Sequence, residues 1–255
     1  MKIDFVNKNV LITGGSRGIG RACAKLFSEL NANVIITYKN KVSEAEQTIK
    51  SLNARGNHSF FQLDITQPEA IRTLFAEVMM KYHRLDVLVN NAGVFIEHKI
   101  SEVSYEQWQQ IWNETISTNL TGVSNLCYLA AKQMMAQQYG KIINISSRGA
   151  FRGEPDHPAY GASKAGLNAM SQSLAVALAP YNITVGIIAP GFVETDMAAA
   201  YLTSEQGEQV KKQSPFNRVA TPEEVANLVA VFASNGLEFM TGGIVDLNGA
   251  SYLRS

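Results

Sequence analysis

Apolar runs of strand length alternate along the chain with longer stretches in which apolar positions recur every three or four residues. The runs are NVLIT (9–13), NVIIT (33–37), HSFFQL (58–63), DVLVNNAG (86–93), KIINIS (141–146), ITVGIIAP (183–190) and GGIVDL (242–247). Between them the periodicity predicts helices over about 18–30, 43–54 and 68–82, and a long helical region ending near Gln138. A further helix passes through Tyr160 to about Pro180, and shorter ones follow, including one over 221–233. Strands that stay apolar without alternating are buried on both faces, so the sheet is expected to be parallel and covered by helices on each side. Right-handed crossovers then give an α/β, doubly wound sheet of about seven strands, with ligands at the carboxyl ends of the strands. No linker, repeat or low-complexity stretch divides residues 1–255, which read as one domain.

Charge narrows the partners. Lys plus Arg number 22 and Asp plus Glu number 22, so there is no basic field for nucleic acid or an anionic membrane. No apolar run is long enough to span a bilayer, and MKIDFVNKN lacks the apolar core of a signal peptide. Cys23 and Cys127 fall in apolar helical patterns and read as buried free thiols, which suits a reducing, cytoplasmic location. His58, His83, His98 and His157 are scattered and form no ligand spacing, so no metal site is expected.

The candidate chemistry begins with Tyr160 and Lys164, one helical turn apart and therefore on one helix face. A tyrosine titrates near ~10 in isolation, and an ammonium beside it is expected to favour the phenolate. So tuned, it exchanges a proton with an alcohol or carbonyl oxygen near neutral pH. Ser147, at the end of the KIINISS run, is placed to hold the same oxygen. A lone Tyr-x-x-x-Lys on a helix is as a rule incidental, so the other motifs decide its meaning. Gly14, Gly18 and Gly20 punctuate a strand-to-helix turn in TGGSRGIG (13–20), where a backbone can approach a pyrophosphate; the bland alternative is a flexible turn. The second strand ends in Thr37-Tyr38-Lys39, without the acid that receives a ribose 2′-hydroxyl; Lys39 and Arg17 are candidates for a 2′-phosphate, or are surface cations. Asp64 reads either as an adenine contact or as a turn residue. NNAG (90–93) reads as a cleft lining or as a tie between strand ends.

Together TGGSRGIG (13–20), NNAG (90–93), Asn119, Ser147, YGASK (160–164) and PGFVET (190–195) resemble the short-chain dehydrogenase/reductase family, in family order and across essentially the whole chain. The resemblance implies a Rossmann-like NAD(P)-binding domain in which Asn119, Ser147, Tyr160 and Lys164 are catalytic. Tyr160 would be the general acid/base, and Lys164 would hold the nicotinamide ribose. Ser147 would orient the substrate oxygen, and Asn119 would hold a water of the proton relay. The implied cofactor contacts are Gly14, Ser16, Arg17, Gly18, Ile19 and Gly20 in the first turn, then Lys39, Asp64 and Ile65. Asn91, Ala92 and Gly93 follow, with Tyr160 and Lys164, and finally Pro190, Gly191, Val193 and Thr195 around the nicotinamide. Residues 192–218 would form a lid over a small-molecule or thioester-linked carbonyl substrate.

With an acid missing and two cations present, NADP(H) is expected over NAD(H). PGFVETDM (190–197) and TPEEVA (221–226) are most similar to the 3-oxoacyl-[acyl-carrier-protein] reductases. Sugar, alcohol and steroid dehydrogenases of the family share such segments, and a non-catalytic dinucleotide sensor is the rival of another kind. The chain departs from the pattern at Gly186, where asparagine is common, and in about one helical turn of extra residues between Gly93 and Asn119. It departs again in the ending LNGASYLRS. Small residues at Gly161, Ala162, Ala165, Gly166, Ala169 and Ser173 suit either close packing on the chain's own sheet or a helix pair across a two-fold, and the resemblance implies a homotetramer or homodimer. Arg148 and Arg152 could meet an anionic substrate, but an exposed loop cation is the commoner explanation; His157 reads as a helix-start residue beside Pro158 rather than a substrate contact.

Overall fold

The computed structural model describes residues 3–195 and 202–254. Its strands are β1 (Asn9–Ile12), β2 (Asn33–Tyr38), β3 (Ser59–Gln62), β4 (Val87–Asn90), β5 (Gly140–Ile145), β6 (Ile183–Pro190) and β7 (Ile244–Leu247). They form one parallel sheet in the order β3-β2-β1-β4-β5-β6-β7. The helices are α1 (Gly18–Glu29), α2 (Val42–Lys50), α3 (Pro68–Tyr82), α4 (Tyr105–Ile116), α5 (Gly122–Gln137), α6 (Pro158–Leu178), α7 (Glu205–Lys211) and α8 (Pro222–Ala233). The expected seven-stranded, doubly wound sheet is the one observed.

Successive strand side chains point to opposite faces. Val10 and Ile12 pack with Phe27 of α1 and with Val229 and Phe232 of α8. Leu11, between them, packs with Ile71 of α3, Leu126 of α5 and Leu167 of α6. Both faces are therefore dry, and each such side chain contributes roughly 1.5–3 kcal/mol by burial. Strand β6 lies close under α8: a Cβ on Gly186 would overlap the Phe232 ring.

Local chemistry sets the helix ends. Pro222 opens α8 behind a capping box, in which the Glu224 N–H donates to Thr221 Oγ1 at 3.3 Å and the Thr221 N–H donates to Glu224 Oε2 at 2.9 Å. Helix α2 stops at Lys50, earlier than its periodicity suggests. Asn53 turns the chain there, its N–H donating to Ser28 Oγ at 3.2 Å and its Oδ1 accepting from the Arg55 N–H at 3.2 Å. The long helical region before Gln138 is divided, because α4 and α5 are joined by a π-helical turn at Ser117–Thr121. Among the described residues no helix is long and apolar enough to cross a membrane.

Candidate active site

The strand order reverses between β1 and β4, which opens a crevice at their carboxyl ends. Thr13, just beyond β1, ties the two ends together. Its Oγ1 accepts from the backbone N–H of Asn91 and of Ala92, both at 3.0 Å. The Asn91 amide donates back to the carbonyls of Thr13 at 2.9 Å and Gly14 at 3.1 Å. The NNAG segment therefore both lines the crevice and locks the strand ends, so the two alternatives left open by the sequence hold together. Thr13 is a structural member that pattern reading passed over, although it stands at the head of the glycine motif.

Gly14 and Gly18 have φ of +63° and +51°, in the region that favours glycine. Gly20 is needed for a different reason: a Cβ there would run into the Gly14 carbonyl oxygen. Gly20 packs the turn onto α1 and does not face the cleft. Helix α1 begins at Gly18 with no side-chain cap and no acid in its first turn, which leaves its leading N–H groups suited to an anion. The cleft beside it has a volume of about 520 Å³ and is lined from the first turn by Gly14, Ser16, Arg17, Gly18 and Ile19. Lys39, Asp64 and Ile65 line its far side, and Asn91, Ala92, Gly93 and Thr195 its inner side. Glycines that admit a phosphate, an open helix start and an elongated cleft fit a dinucleotide. Pro190, the last residue of β6, does not line it, nor do Gly191 and Val193 beyond it, with Val193 bridged to Ala220.

Two expected contacts are preoccupied. Lys39 Nζ pairs with Asp64 Oδ2 at 2.9 Å, and Asp64 Oδ1 accepts from the Thr66 N–H and hydroxyl at 3.0 and 2.8 Å. Burial pushes the Asp64 carboxyl up, but these hydrogen bonds outweigh it and hold the group below its ordinary range. A 2′-phosphate at Lys39 therefore competes with a carboxylate.

Tyr160 and Lys164 share one face of α6. Lys164 is buried, its Nζ donating to the Ile145 carbonyl at 2.8 Å and lying 5.7 Å from the centre of the Tyr160 ring. Burial pulls the Lys164 ammonium down to about 8. Burial also raises the Tyr160 phenol, a hydrogen bond with the Ser147 side chain draws it back, and the Glu154 charge adds to the rise. The expected lowering of the phenol by the lysine is not seen. Desolvation dominates, and the ammonium is held by a backbone carbonyl rather than at the hydroxyl. Ser147 Oγ also accepts from the Gly149 N–H at 3.0 Å, whereas Ser146 is buried with its hydroxyl unpartnered.

Asn119 sits inside the π-helical turn and is fully buried. Its Oδ1 accepts from the Val94 N–H at 2.8 Å. Its amide donates to the Val94 carbonyl at 3.0 Å and to Ser163 Oγ at 3.1 Å. Such turns recur at functional sites, and this one binds the loop after NNAG to the tyrosine helix. The loop carries an aromatic group that sequence reading missed. Phe95 stacks on His157 with centroids 3.6 Å apart and meets the Tyr160 ring edge-on at 4.7 Å. Phe95 lies in the stretch between Gly93 and Asn119 that holds the extra residues. Arg148, expected to be exposed, is 4% exposed and bonded to Gln213 and Ser251. Of the 192–218 lid, residues 196–201 lie outside the described residues.

The family described as enoyl-(acyl carrier protein) reductase matches residues 14–249. The 3-oxoacyl-[acyl-carrier-protein] reductase FabG of Staphylococcus aureus (strain Mu50) is 36% identical over 249 residues, covering 97% of this chain and 99% of that protein. The protein of the same name from Escherichia coli (strain K12) is 36% identical over 251 residues, covering 98% and 100%. The chain belongs to the short-chain dehydrogenase/reductase family. It is an NAD(P)-dependent oxidoreductase of the CH-OH/C=O pair. A solved dehydrogenase/reductase from Sinorhizobium meliloti 1021 superposes with a TM-score of 0.90 at 29% identity, covering 98% of this chain and 97% of that one. The structure titled gox2181 gives 0.91 at 30% identity, with the same coverage. The family fold thus extends to the C-terminal strand, not just the nucleotide half.

Proposed function

We propose that this enzyme is an NADPH-dependent carbonyl reductase acting on 3-oxoacyl thioesters. The carrying observation is the arrangement of Tyr160 and Lys164 on one face of α6, with the Ser147 side chain close enough to draw the phenol's pKa down against burial. The bound nicotinamide supplies the hydride to the carbonyl carbon. Ser147 and Tyr160 hold the carbonyl oxygen, and Tyr160 Oη gives it a proton as the alcohol forms. The raised phenol is protonated at neutral pH, but it lies further from the operating pH than an efficient proton donor does. Lys164, anchored on the Ile145 carbonyl, and Asn119, braced on Val94 and Ser163, hold the relay behind it. Arg17 and Lys39 at the rim of the cleft, with no acid closing β2, favour the 2′-phosphate of NADPH.

The thioester class rests on the names of the relatives. The enoyl reductase description of the matching family supplies the second reading. The exposed face of α6, including Ala162, Ala165, Ala169 and Ser173, supports assembly as a homotetramer or homodimer; Gly166 instead packs on the chain's own Leu120.

The test is oxidation of NADPH and of NADH with a small 3-oxoacyl thioester and with the matching 2-enoyl thioester, alongside Tyr160→Phe. NADPH-linked reduction of the ketone, lost in Tyr160→Phe with nucleotide binding kept, is the expected result. Faster enoyl reduction transfers the enzyme to the second reading. Near-normal ketone reduction by Tyr160→Phe overturns the role of the tyrosine.

A further inference from the structure

A second cavity of about 260 Å³ lies apart from the nucleotide cleft, between the lid, the stretch after β7 and the turn that follows Ser147. Its volume falls just below the ~300–1,000 Å³ of sites for drug-sized ligands, so it suits a molecule of a few carbons. Arg148 forms one wall and Asp246 another, with Phe192, Val210 and Phe216 supplying apolar surface. The Arg148 guanidinium is buried, yet no carboxylate lies within 4.0 Å of it among the described residues. It donates to Ser251 Oγ at 2.5 Å and to Gln213 Oε1 at 2.6 Å, both neutral, and its plane sits 5.1 Å from the Phe192 ring centre. Those two bonds occupy two of its five N–H donors. A buried charge without a counter-charge is costly, and the cost is relieved by a paired anion. Asp246, also in the lining, is charge-paired with Arg254, its Oδ2 accepting from Arg254 Nε at 2.7 Å, and its Oδ1 is sealed from solvent. Arg218 is already committed to Glu224.

We propose that this cavity binds a small monocarboxylate, whose carboxylate is received by Arg148. One charge is specified because Asp246 and Glu224 both line the cavity and oppose a second. Planar, bidentate recognition of carboxylate is the task for which arginine is suited. The carboxylate has two possible sources: the far end of the reducible substrate, or a free metabolite held beneath the lid.

The experiment is calorimetric titration of the full chain, saturated with NADPH, with 2-hydroxybutyrate and with butyrate, against sodium chloride at matched ionic strength. Saturable binding of both acids is expected, at least about tenfold weaker in Arg148→Gln. Because Arg148 braces the lid, a second variant, Val210→Phe, fills the cavity without touching the arginine and is expected to abolish binding. No saturable binding by the wild-type chain overturns the proposal, as does equal affinity in both variants. Where binding is found, inhibition by butyrate that is competitive with the reducible substrate identifies the substrate's own tail. Binding without competition identifies a separate anion.

Discussion

The burial of Lys164, proposed above to hold the relay behind Tyr160, comes at the expense of stability, and the cost can be read by pH. Burial lowers its pKa from the ordinary 10.5 to about 8. At ~1.4 kcal/mol per pH unit, that shift corresponds to about 3 kcal/mol of destabilisation while the group is charged in both states. Below about pH 8 the folded and unfolded chains both hold the proton, so this penalty is present in full. Between about 8 and 10.5 only the unfolded chain holds it, and stability rises with pH. Replacement by methionine keeps the length and removes the titration, but it forfeits the hydrogen bond to the Ile145 carbonyl, a cost of about 1 kcal/mol that does not vary with pH. Lys164→Met is therefore expected to be more stable than the wild type at pH 7, by about 2 kcal/mol, and inactive. The advantage should shrink by about 2 kcal/mol by pH 9.5. Urea unfolding of both chains, without nucleotide and at equal protomer concentration, measures this. The difference between the two curves cancels every other titrating group. An advantage that stays constant from pH 7 to 9.5 would refute the claim that burial depresses this lysine.

Gly20→Ala, which pushes a methyl group into the Gly14 carbonyl, should cost about 1–3 kcal/mol and weaken NADPH binding, read by urea unfolding and by quenching of intrinsic fluorescence. Asn119→Ala frees the loop at Val94 and the start of the tyrosine helix. Its turnover should fall about 100-fold with NADPH affinity little changed, in steady-state kinetics beside a nucleotide titration. Lys39→Ala releases Asp64 as well as removing a cation. It should lower the NADPH over NADH preference about tenfold, seen as the ratio of the two kcat/KM values, and an unchanged ratio would leave Arg17 as the discriminating cation.

The sheet was legible because its strands are apolar without interruption and its punctuation is local. ITVGIIAP (183–190) is strand β6 to the residue, and Pro68 opens α3 where a proline at the first helical position should. The shared helix face of Tyr160 and Lys164 was legible because their spacing is helical. The pairings between distant segments were not. Lys39 and Asp64 meet only because β2 and β3 pair in register, with Tyr38 beside Gln62, and nothing within either segment announces it. Arg148 looked like a loop cation because a charged residue beside glycines generally is one. It is buried because Gln213 and Ser251, far along the chain, close over it. Phe95 drew no attention, since a single aromatic in a loop has no periodicity to place it against His157.

The contact of Gly186 with Phe232 links two positions that lie on different elements and perform no chemistry. A residue with a Cβ at 186, such as asparagine, requires the Phe232 ring to shift, since the ring stands where that Cβ would go. Trimming Phe232 alone would instead leave a void, at a cost of roughly 3–5 kcal/mol. The two sites therefore behave as one unit of inheritance. A route from this sequence to one bearing the common asparagine passes through a smaller residue at 232 first, across a destabilised intermediate. Grafting a β6 with a larger residue at 186 into this scaffold is expected to require a smaller residue at 232.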